Sequence, residues 1–304
     1  MKCREISFIY SLFGIFFILI SLCGTTYANP TKQIRYIESE KYPDPKQSYF
    51  VDLLTLILNA SKDEFGDYVL KPVAYEMSQA RTSASLKRNE FIDIHWRMTS
   101  QELEQELQAI YIPILKGLMG YRIFVIRKGE QKQFTRETSL DQLKVRPLGQ
   151  GYNWPDTNIL ESNNFNVIKG YDIYLLSMLK KKRFDYFPRA LHEPWFEIAT
   201  EPTLVVEDNF LIKYPAPMFF FINKNNETLK KRLNLGFEKI INSGAFERFF
   251  QTHPVTANIL TKANITQRIS FTLTNPSLSP KTKALINDER LWITTENKDE
   301  LIPK

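Results

Sequence analysis

Apolar residues along the chain follow either the spacing of a helix or that of a strand, and segments of the two kinds alternate. YFVDLLTLILNAS (49–61) carries apolar residues at helical spacing, which predicts an amphipathic helix. A second helix is predicted over QARTSASLKRNEF (79–91), and strands are predicted at 34–37, 68–75 and 92–96. Strand, helix, strand, helix, strand is the order typical of a parallel sheet covered by helices.

A similar α/β run occupies roughly residues 118–215. It begins with the alternating strand YRIFVIRKG (121–129), and Ser139 is placed to cap the next helix. VRPLGQG predicts a strand that ends in glycines, and Pro155 falls in the first turn of the helix after it. Further strands are predicted at NVIKG, FDYF, TLVVE and APMFFFIN. From Asn225 the chain instead predicts two helices separated by NSG.

Residues 1–28 are predicted to be a cleaved signal peptide. They combine a short basic start, an almost wholly apolar stretch over 6–22 and the small-residue ending TTYA. An uncleaved anchor helix is the alternative. Both cysteines, Cys3 and Cys23, lie in this segment, so the mature chain has no disulfide. The sequence therefore predicts a soluble, exported and periplasmic protein.

The charge balance is mild and excludes few function classes. The whole chain carries +6, and removal of Lys2, Arg4 and Glu5 leaves +5. Such a surplus favours anionic ligands weakly and is not the footprint of a nucleic-acid-binding protein. The one basic run, KKKR (180–183), lies where a helix is predicted to end, and cations suit that end of the helix dipole.

Two segments are predicted to cross between lobes. PILKGLMGYR (113–122) leaves the first α/β unit with two glycines, and KYPAPMFFF (213–221) leaves the second with two prolines. Two crossings make the first lobe discontinuous, with 29–117 and 216–304 in lobe 1 and 118–215 in lobe 2. A cleft between two such lobes can close on a ligand by a hinge motion.

The order of these segments resembles the bacterial extracellular solute-binding proteins of family 3, the periplasmic receptors of amino-acid uptake systems. The matching pieces include SLKRNEFIDIHW, IPILKG, GYRIFVIRKG, SLDQLKVRPLGQG, MLKKKRFDYFPR and NETLKKRLNLGFEKIINSGAFERFF, and they cover about 34–250. The resemblance implies an α/β, two-lobed periplasmic-binding-protein fold (type II), with mixed sheets, flanking helices and two hinge crossings. It also implies a monomer that binds a small molecule and needs no cofactor.

The chain departs from the family at both anchors of the amino-acid head group. Such receptors usually place an Arg three residues after a Ser or Thr just past the third strand, but here the count from Thr99 ends at Glu102. They usually place an Asp near the end of a later strand, where this chain has Arg189 or Ala190 after the strand residue Asp185. An ordinary amino acid is therefore not the expected ligand.

Arg189 is the first candidate for ligand binding. It lies in RFDYFPRALHEPW (183–195), where we predict that Pro188 ends the strand and Arg189 leaves the sheet at its mouth. A guanidinium there can grip a carboxylate or phosphate with two parallel hydrogen bonds. The alternative is an ion pair with Glu193, one helical turn later.

The other candidates fall into three groups, each with a structural alternative. The turn LGQGYNWPDT (148–157) offers backbone N–H groups and close approach to an anion. The aromatic and polar residues at the end of the 92–96 strand face the cleft or the core. An aromatic residue after the first strand is placed as a lid. The residues are Gly151, Trp154 and Asp156, then Trp96, Arg97 and Thr99, and finally Tyr42.

The resulting hypothesis is a solute-binding receptor that passes a small polar solute, with an anionic group favoured, to an inner-membrane permease of an ABC-type transporter. A ligand sensor for a membrane signalling protein and a periplasmic enzyme acting on cell-wall or sugar substrates are the alternatives. Catalysis has little support, because the histidines are scattered without zinc-ligand spacing and the chain has no G-x-S-x-G motif. We therefore expect no enzyme activity, no metal and no nucleic-acid partner.

Overall fold

The structure is a computed structural model, and it describes residues 32–38, 44, 46–75 and 77–293. The predicted signal peptide and the candidate lid residue Tyr42 lie outside the described residues. Within them, no helix combines the length and apolar character that crossing a membrane requires.

The strands alternate with helices over most of the chain, in the order that the hydrophobic pattern predicts. The strands are β1 (Lys32–Glu38), β2 (Tyr68–Ala74), β3 (Ile94–Met98), β4 (Gln108–Ile110), β5 (Tyr121–Arg127), β6 (Leu148–Gly151), β7 (Val167–Gly170), β8 (Phe187–Ala190), β9 (Leu204–Val206), β10 (Phe210–Lys213), β11 (Met218–Ile222) and β12 (Ile269–Thr272). The helices are α1 (Gln47–Ala60), α2 (Lys62–Phe65), α3 (Gln79–Lys87), α4 (Gln101–Glu106), α5 (Leu140–Val145), α6 (Pro155–Ser162), α7 (Leu175–Lys180), α8 (Pro194–Glu197), α9 (Glu227–Asn242), α10 (Ala245–Thr252), α11 (Ile259–Lys262) and α12 (Pro280–Ala284).

Two sheets carry most of the fold. The β11 sheet has the order β3-β11-β4, and both partners run antiparallel to β11. The β5 sheet joins β5 antiparallel to β8, β9 and β10, and β10 pairs in parallel with β12. A parallel pair, β6-β7, and the pair β1-β2 complete the described strands. Sheets of mixed direction with flanking helices confirm the predicted fold class.

Strand β11 occupies the centre of its sheet because both of its faces are apolar. Phe219, Phe220 and Phe221 are all fully buried, and they pack into two different hydrophobic clusters. Residues buried on both faces are typical of a strand covered on both sides by other elements. On one side these elements include α1 and α9, which pack closely because Gly236 leaves room for the backbone of Ile57.

The predicted parallel sheet over 34–96 is wrong in its pairing, although its strands and helices are present. Strand β3 pairs antiparallel with β11, and β1 pairs with β2 in a separate two-stranded sheet. The Asp93 carboxylate, just before β3, still links that strand to β1, because it accepts hydrogen bonds from the backbone and the guanidinium of Arg35. Strand β11 comes from far along the chain, so no local pattern could reveal this pairing.

The tail beyond residue 253 contacts elements from several parts of the chain. Strand β12 pairs with β10 in the β5 sheet. The residues after β12 contact the segment before β11 and the start of α4. Asn275 donates to the carbonyl of Pro215, and the backbone N–H of Gln101 donates to the carbonyl of Ser277. The lobe boundaries themselves remain a prediction.

The predicted hinge segments lie against each other with very little space. A Cβ atom on Gly120 would lie 1.8 Å from the carbonyl oxygen of Tyr214, so the two backbones touch directly. The N–H of Tyr214 also donates to the carbonyl of Gly120. Only glycine permits this approach, which explains the residue at this point of the first crossing.

Gly120→Ala is expected to lower the free energy of unfolding by about 3 kcal/mol, the upper end of the usual cost of overpacking, because backbone atoms cannot rotate out of the way. The control is Gly244→Ala, where the nearest atom to the new Cβ is the flexible guanidinium of Arg248 and the positive φ of +69° is the main cost. That cost is about 1–2 kcal/mol. Urea unfolding measures both, and equal losses would contradict the close crossing.

Candidate ligand-binding site

A cavity of about 450 Å³ lies between the β11 sheet and the β5 sheet. Its lining on the first side comes from α1, β3 and β11, and includes Phe50, Trp96 and Met218. The other side comes from β5, β8, the start of α6, and α8 with the residues just before it. Its lining there includes Arg122, Trp154, Asp156, Arg189, Glu193 and Glu197. The volume falls within the range of small-molecule sites, about 300–1,000 Å³.

Arg189 reaches this cavity from within a strand, not from beyond its end. Strand β8 includes Pro188, which is paired with Phe124, and Arg189 is paired with Ile123 of β5. The prediction that Pro188 ends the strand is therefore wrong. Proline lacks an N–H, and a strand accommodates it where no ladder hydrogen bond is needed from that position, as at a sheet edge. Strand β8 holds this edge position in the order of the β5 sheet.

The Arg189 guanidinium is already held by two carboxylates. Its Nε lies 2.7 Å and its Nη2 2.5 Å from the two oxygens of Glu197, which is a bidentate pair. The same Nη2 lies 3.0 Å from Glu193 Oε1. The guanidinium carbon also lies 4.7 Å from the ring centre of Trp154 and 4.9 Å from that of Phe187. The pairing alternative is thus realised in the structure, together with a second acid that sequence reasoning missed.

A second buried cation, Arg122, forms the other half of the charged network. It is 1% exposed, pairs with Asp156 and lies 3.6 Å from Glu193 Oε2. Asp156 also accepts a hydrogen bond from the Tyr214 hydroxyl, which comes from the second predicted crossing. Asp156 is therefore committed to its protein partners, and the site is tied to the segment between β10 and β11.

Glu193 lies at the centre of this network. Burial opposes its ionisation, but the nearby charges, Arg189 first among them, outweigh that effect and lower the pKa of its carboxyl to about 2. Burial acts likewise against the charged form of Arg189, and Glu193 and Glu197 overcome it and raise the pKa of the guanidinium. The Glu193 carboxylate also accepts a hydrogen bond from the backbone N–H of Ala190, which fixes the turn after β8.

Two histidines of the lining are uncharged at neutral pH. Burial lowers the pKa of His192 to about 4; Glu193 opposes this effect, and the cations Lys46, Arg122 and Arg189 add to it. Burial and the neighbouring Arg97 lower the pKa of His95 to about 3. Both imidazoles can therefore donate and accept hydrogen bonds but add no charge to the cavity.

Aromatic rings cover the apolar parts of the cavity. Trp154 stacks on Phe187 with ring centres 6.3 Å apart and an interplanar angle of 18°, and Trp96 stacks on Phe50 at 5.2 Å and 22°. Gly151 supports this arrangement from below, because a Cβ atom there would lie 2.2 Å from the Trp154 ring. The predicted turn residues Gly151, Trp154 and Asp156 are thus brought together, although Gly151 lies behind the tryptophan.

Two predicted candidates point away from the cavity. Arg97 donates to the hydroxyl of Ser83 and to the carbonyl of Gln79, so its guanidinium lies against α3. Thr99 is 1% exposed and donates to Glu104. Neither is among the described residues that line the cavity. The strand neighbours of Arg97, which are His95, Trp96 and Met98, do line the cavity.

Sequence reasoning missed most of the lining, and among its charged and polar members Arg122 carried a recognisable signal. Arg122 interrupts the apolar strand YRIFVIR, and a charge inside a buried strand needs a partner. Glu197 lies eight residues after Arg189, beyond the one-turn spacing that we considered. His192 and Lys46 reach the cavity through loop and helix-end geometry that a local pattern does not reveal.

Comparison of the sequence with known proteins finds no matching family model and no match among curated proteins. Comparison of the structure with solved structures does find proteins of similar fold. An arginine-specific periplasmic binding protein from Salmonella typhimurium aligns with a TM-score of 0.54 at 15% identity, over 73% of this chain and 98% of its own.

Two further solved structures match to the same degree. A periplasmic binding protein of an arginine transport system from Legionella pneumophila gives a TM-score of 0.55 at 14% identity, over 73% of this chain and 99% of its own. A probable amino-acid ABC transporter extracellular-binding protein from Bacillus subtilis gives a TM-score of 0.54 at 16% identity, over 74% of this chain and 98% of its own. The resemblance seen in the sequence is therefore confirmed for the fold, and the chain has the two-lobed fold of periplasmic solute-binding proteins.

Proposed function

We propose that this protein is an exported solute-binding receptor that captures a small polar molecule in the cavity and delivers it to an ABC-type permease. The observation that carries the proposal is a cavity of about 450 Å³, with charged groups on an aromatic frame, between two sheets of this fold. Concave sites lined by aromatic side chains, with polar groups that fix the orientation of the ligand, are typical of small-molecule binding. The permease as partner follows from the transport systems to which the structural neighbours are assigned.

The charge of the cavity selects among ligand classes. Its described lining carries three cations and five carboxylates, which leaves two negative charges in excess. The two neutral histidines do not reduce this excess at neutral pH. An excess of one sign favours a ligand of the opposite sign. The cations are Lys46, Arg122 and Arg189, and the carboxylates are Asp44, Asp156, Asp172, Glu193 and Glu197.

We therefore propose a solute with a cationic group, and not the anionic solute that the position of Arg189 suggested. Each of the three cations already has a carboxylate partner within 3 Å, so its charge is compensated from within the protein. Arginine, which two of the structural neighbours are named for, is a solute of this class. Trp154 and Trp96 are proposed to contact its apolar part from opposite sides of the cavity.

The proposal is tested by titrating the purified protein with L-arginine, with agmatine, which lacks the carboxylate, and with succinate. We expect calorimetry to show binding of a cationic compound and none of succinate. Native mass spectrometry of the freshly purified protein identifies any solute already bound. Binding of succinate alone would contradict the cationic class, and chemical turnover of the bound compound would contradict a receptor.

Arg189→Ala is expected to lower the free energy of unfolding by about 3 kcal/mol, because it removes the closest cation from the buried Glu193 and from the partly buried Glu197. Arg88→Ala is the matched control, since Arg88 pairs with Glu90 at 2.8 Å but its side chain is 58% exposed. An exposed pair contributes at most about 1 kcal/mol. If Arg189→Ala leaves stability intact and removes solute binding, Arg189 is a ligand anchor and not the centre of an internal network.

Stability is expected to fall as the pH drops from about 6.5 to about 4. An unfolded histidine takes up a proton near pH 6.5, whereas His192 resists protonation down to about pH 4 in the folded protein. The unfolded state then binds more protons, so acid favours unfolding. Melting temperatures measured at pH 7.5, 6.5, 5.5 and 4.5 check this. His192→Gln should flatten the profile, and an unchanged slope would contradict the assignment.

A further inference from the structure

Lys46 differs from the other cations of the cavity in how it is held. It lies just before α1, and its side chain is 13% exposed. Its Nζ lies 2.9 Å from Asp44 Oδ1, a partner two residues away in the chain. Its second partner is Glu197, at 3.8 Å from Oε1. A lysine this deeply buried normally requires such carboxylate partners.

The contact between Lys46 and Glu197 joins opposite sides of the cavity. Lys46 belongs to the α1 side, where Phe50 of α1 stacks on Trp96 of β3 in the β11 sheet. Glu197 belongs to α8, which follows β8 of the β5 sheet. The ammonium group therefore reaches the same carboxylate that Arg189 holds bidentately from its own side.

The ion pair between Lys46 and Glu197 has the longest distance in the network. Arg189 reaches Glu197 at 2.5 Å and 2.7 Å, whereas the Lys46 ammonium stays at 3.8 Å, too far for a hydrogen bond. Lysine is a compact charge on a flexible four-carbon stem, so it can withdraw with little rearrangement of its neighbours. Burial opposes its charge, but Asp44, Glu193 and Glu197 raise the pKa of the ammonium, so it is protonated at neutral pH.

We propose that Lys46 is a specificity-determining residue, a built-in cation that competes with the cationic group of the solute for Glu197. This inference rests on the proposed cationic class of solute. A solute that carries an ammonium or guanidinium group finds Glu197 partly neutralised by Lys46, and it must displace that side chain or offer more favourable contacts. Removal of the Lys46 charge raises the negative excess of the cavity from two to three.

The test is calorimetric titration of agmatine into the unmodified protein, Lys46→Gln, Lys46→Arg and Lys62→Gln. Lys46→Gln is expected to bind agmatine about tenfold more tightly or better, since interactions with charged groups are the strong ones. Lys46→Arg keeps the charge and should remain near the affinity of the unmodified protein. Lys62→Gln is the matched control, because Lys62 pairs with Asp67 outside the cavity lining and is 54% exposed. Equal or weaker binding by Lys46→Gln overturns the inference.

A second measurement does not depend on any solute. Lys46→Gln, Glu197→Gln and the double variant are compared by melting temperature. If the two side chains interact, the effect of Lys46→Gln is smaller by half or more in the Glu197→Gln background. Strictly additive effects overturn the inference, because the competition requires that Lys46 acts on Glu197, and they leave the cationic class of solute untouched. If no variant binds agmatine, the cationic class in the proposed function fails, and the competition fails with it even where the two side chains are coupled.

Discussion

The need to pair buried charges governs the architecture of the cavity. A charge removed from water costs several kcal/mol unless a partner compensates it, so each member of the network depends on its neighbours. The network also connects segments that are distant in the chain, from the start of α1 to the crossing before β11. Its continuous series of ion pairs and hydrogen bonds runs through Lys46, Glu197, Arg189, Glu193, Arg122, Asp156 and Tyr214.

Features fixed by neighbouring residues could be predicted from the sequence. Ser139 caps α5 in a full capping box with Gln142, and Pro155 takes the first position of α6. Gly244, in NSG, adopts a positive φ between α9 and α10. Each depends on contacts within about four residues, which is the range that a local pattern reports. The order of strands and helices followed from the same signals, and the order supported the fold resemblance.

Features fixed by distant residues could not be predicted in the same way. The pairing of β11 with β3 joins segments more than a hundred residues apart, and β12 joins the β5 sheet from the tail. The error at Pro188 has the same origin, because a proline ends a strand only where its missing N–H is needed by a neighbour. Thr99 illustrates the consequence for the site. Its hydroxyl bonds to Glu104, which also binds Ser279 from the tail.

The tail adds constraints at the predicted hinge that the two crossings alone do not provide. The indole ring of Trp292 lies over Gly117, where a Cβ atom would come within 2.5 Å of it. Lys116, the residue before Gly117, donates to Glu247 of α10 and to the carbonyl of Arg290. A rotation about this segment therefore has to carry the tail with it or break these contacts. Charges on both sides of the cavity also attract each other through Lys46, so the contacts of the tail and those of the cavity both oppose a rotation about the predicted hinge.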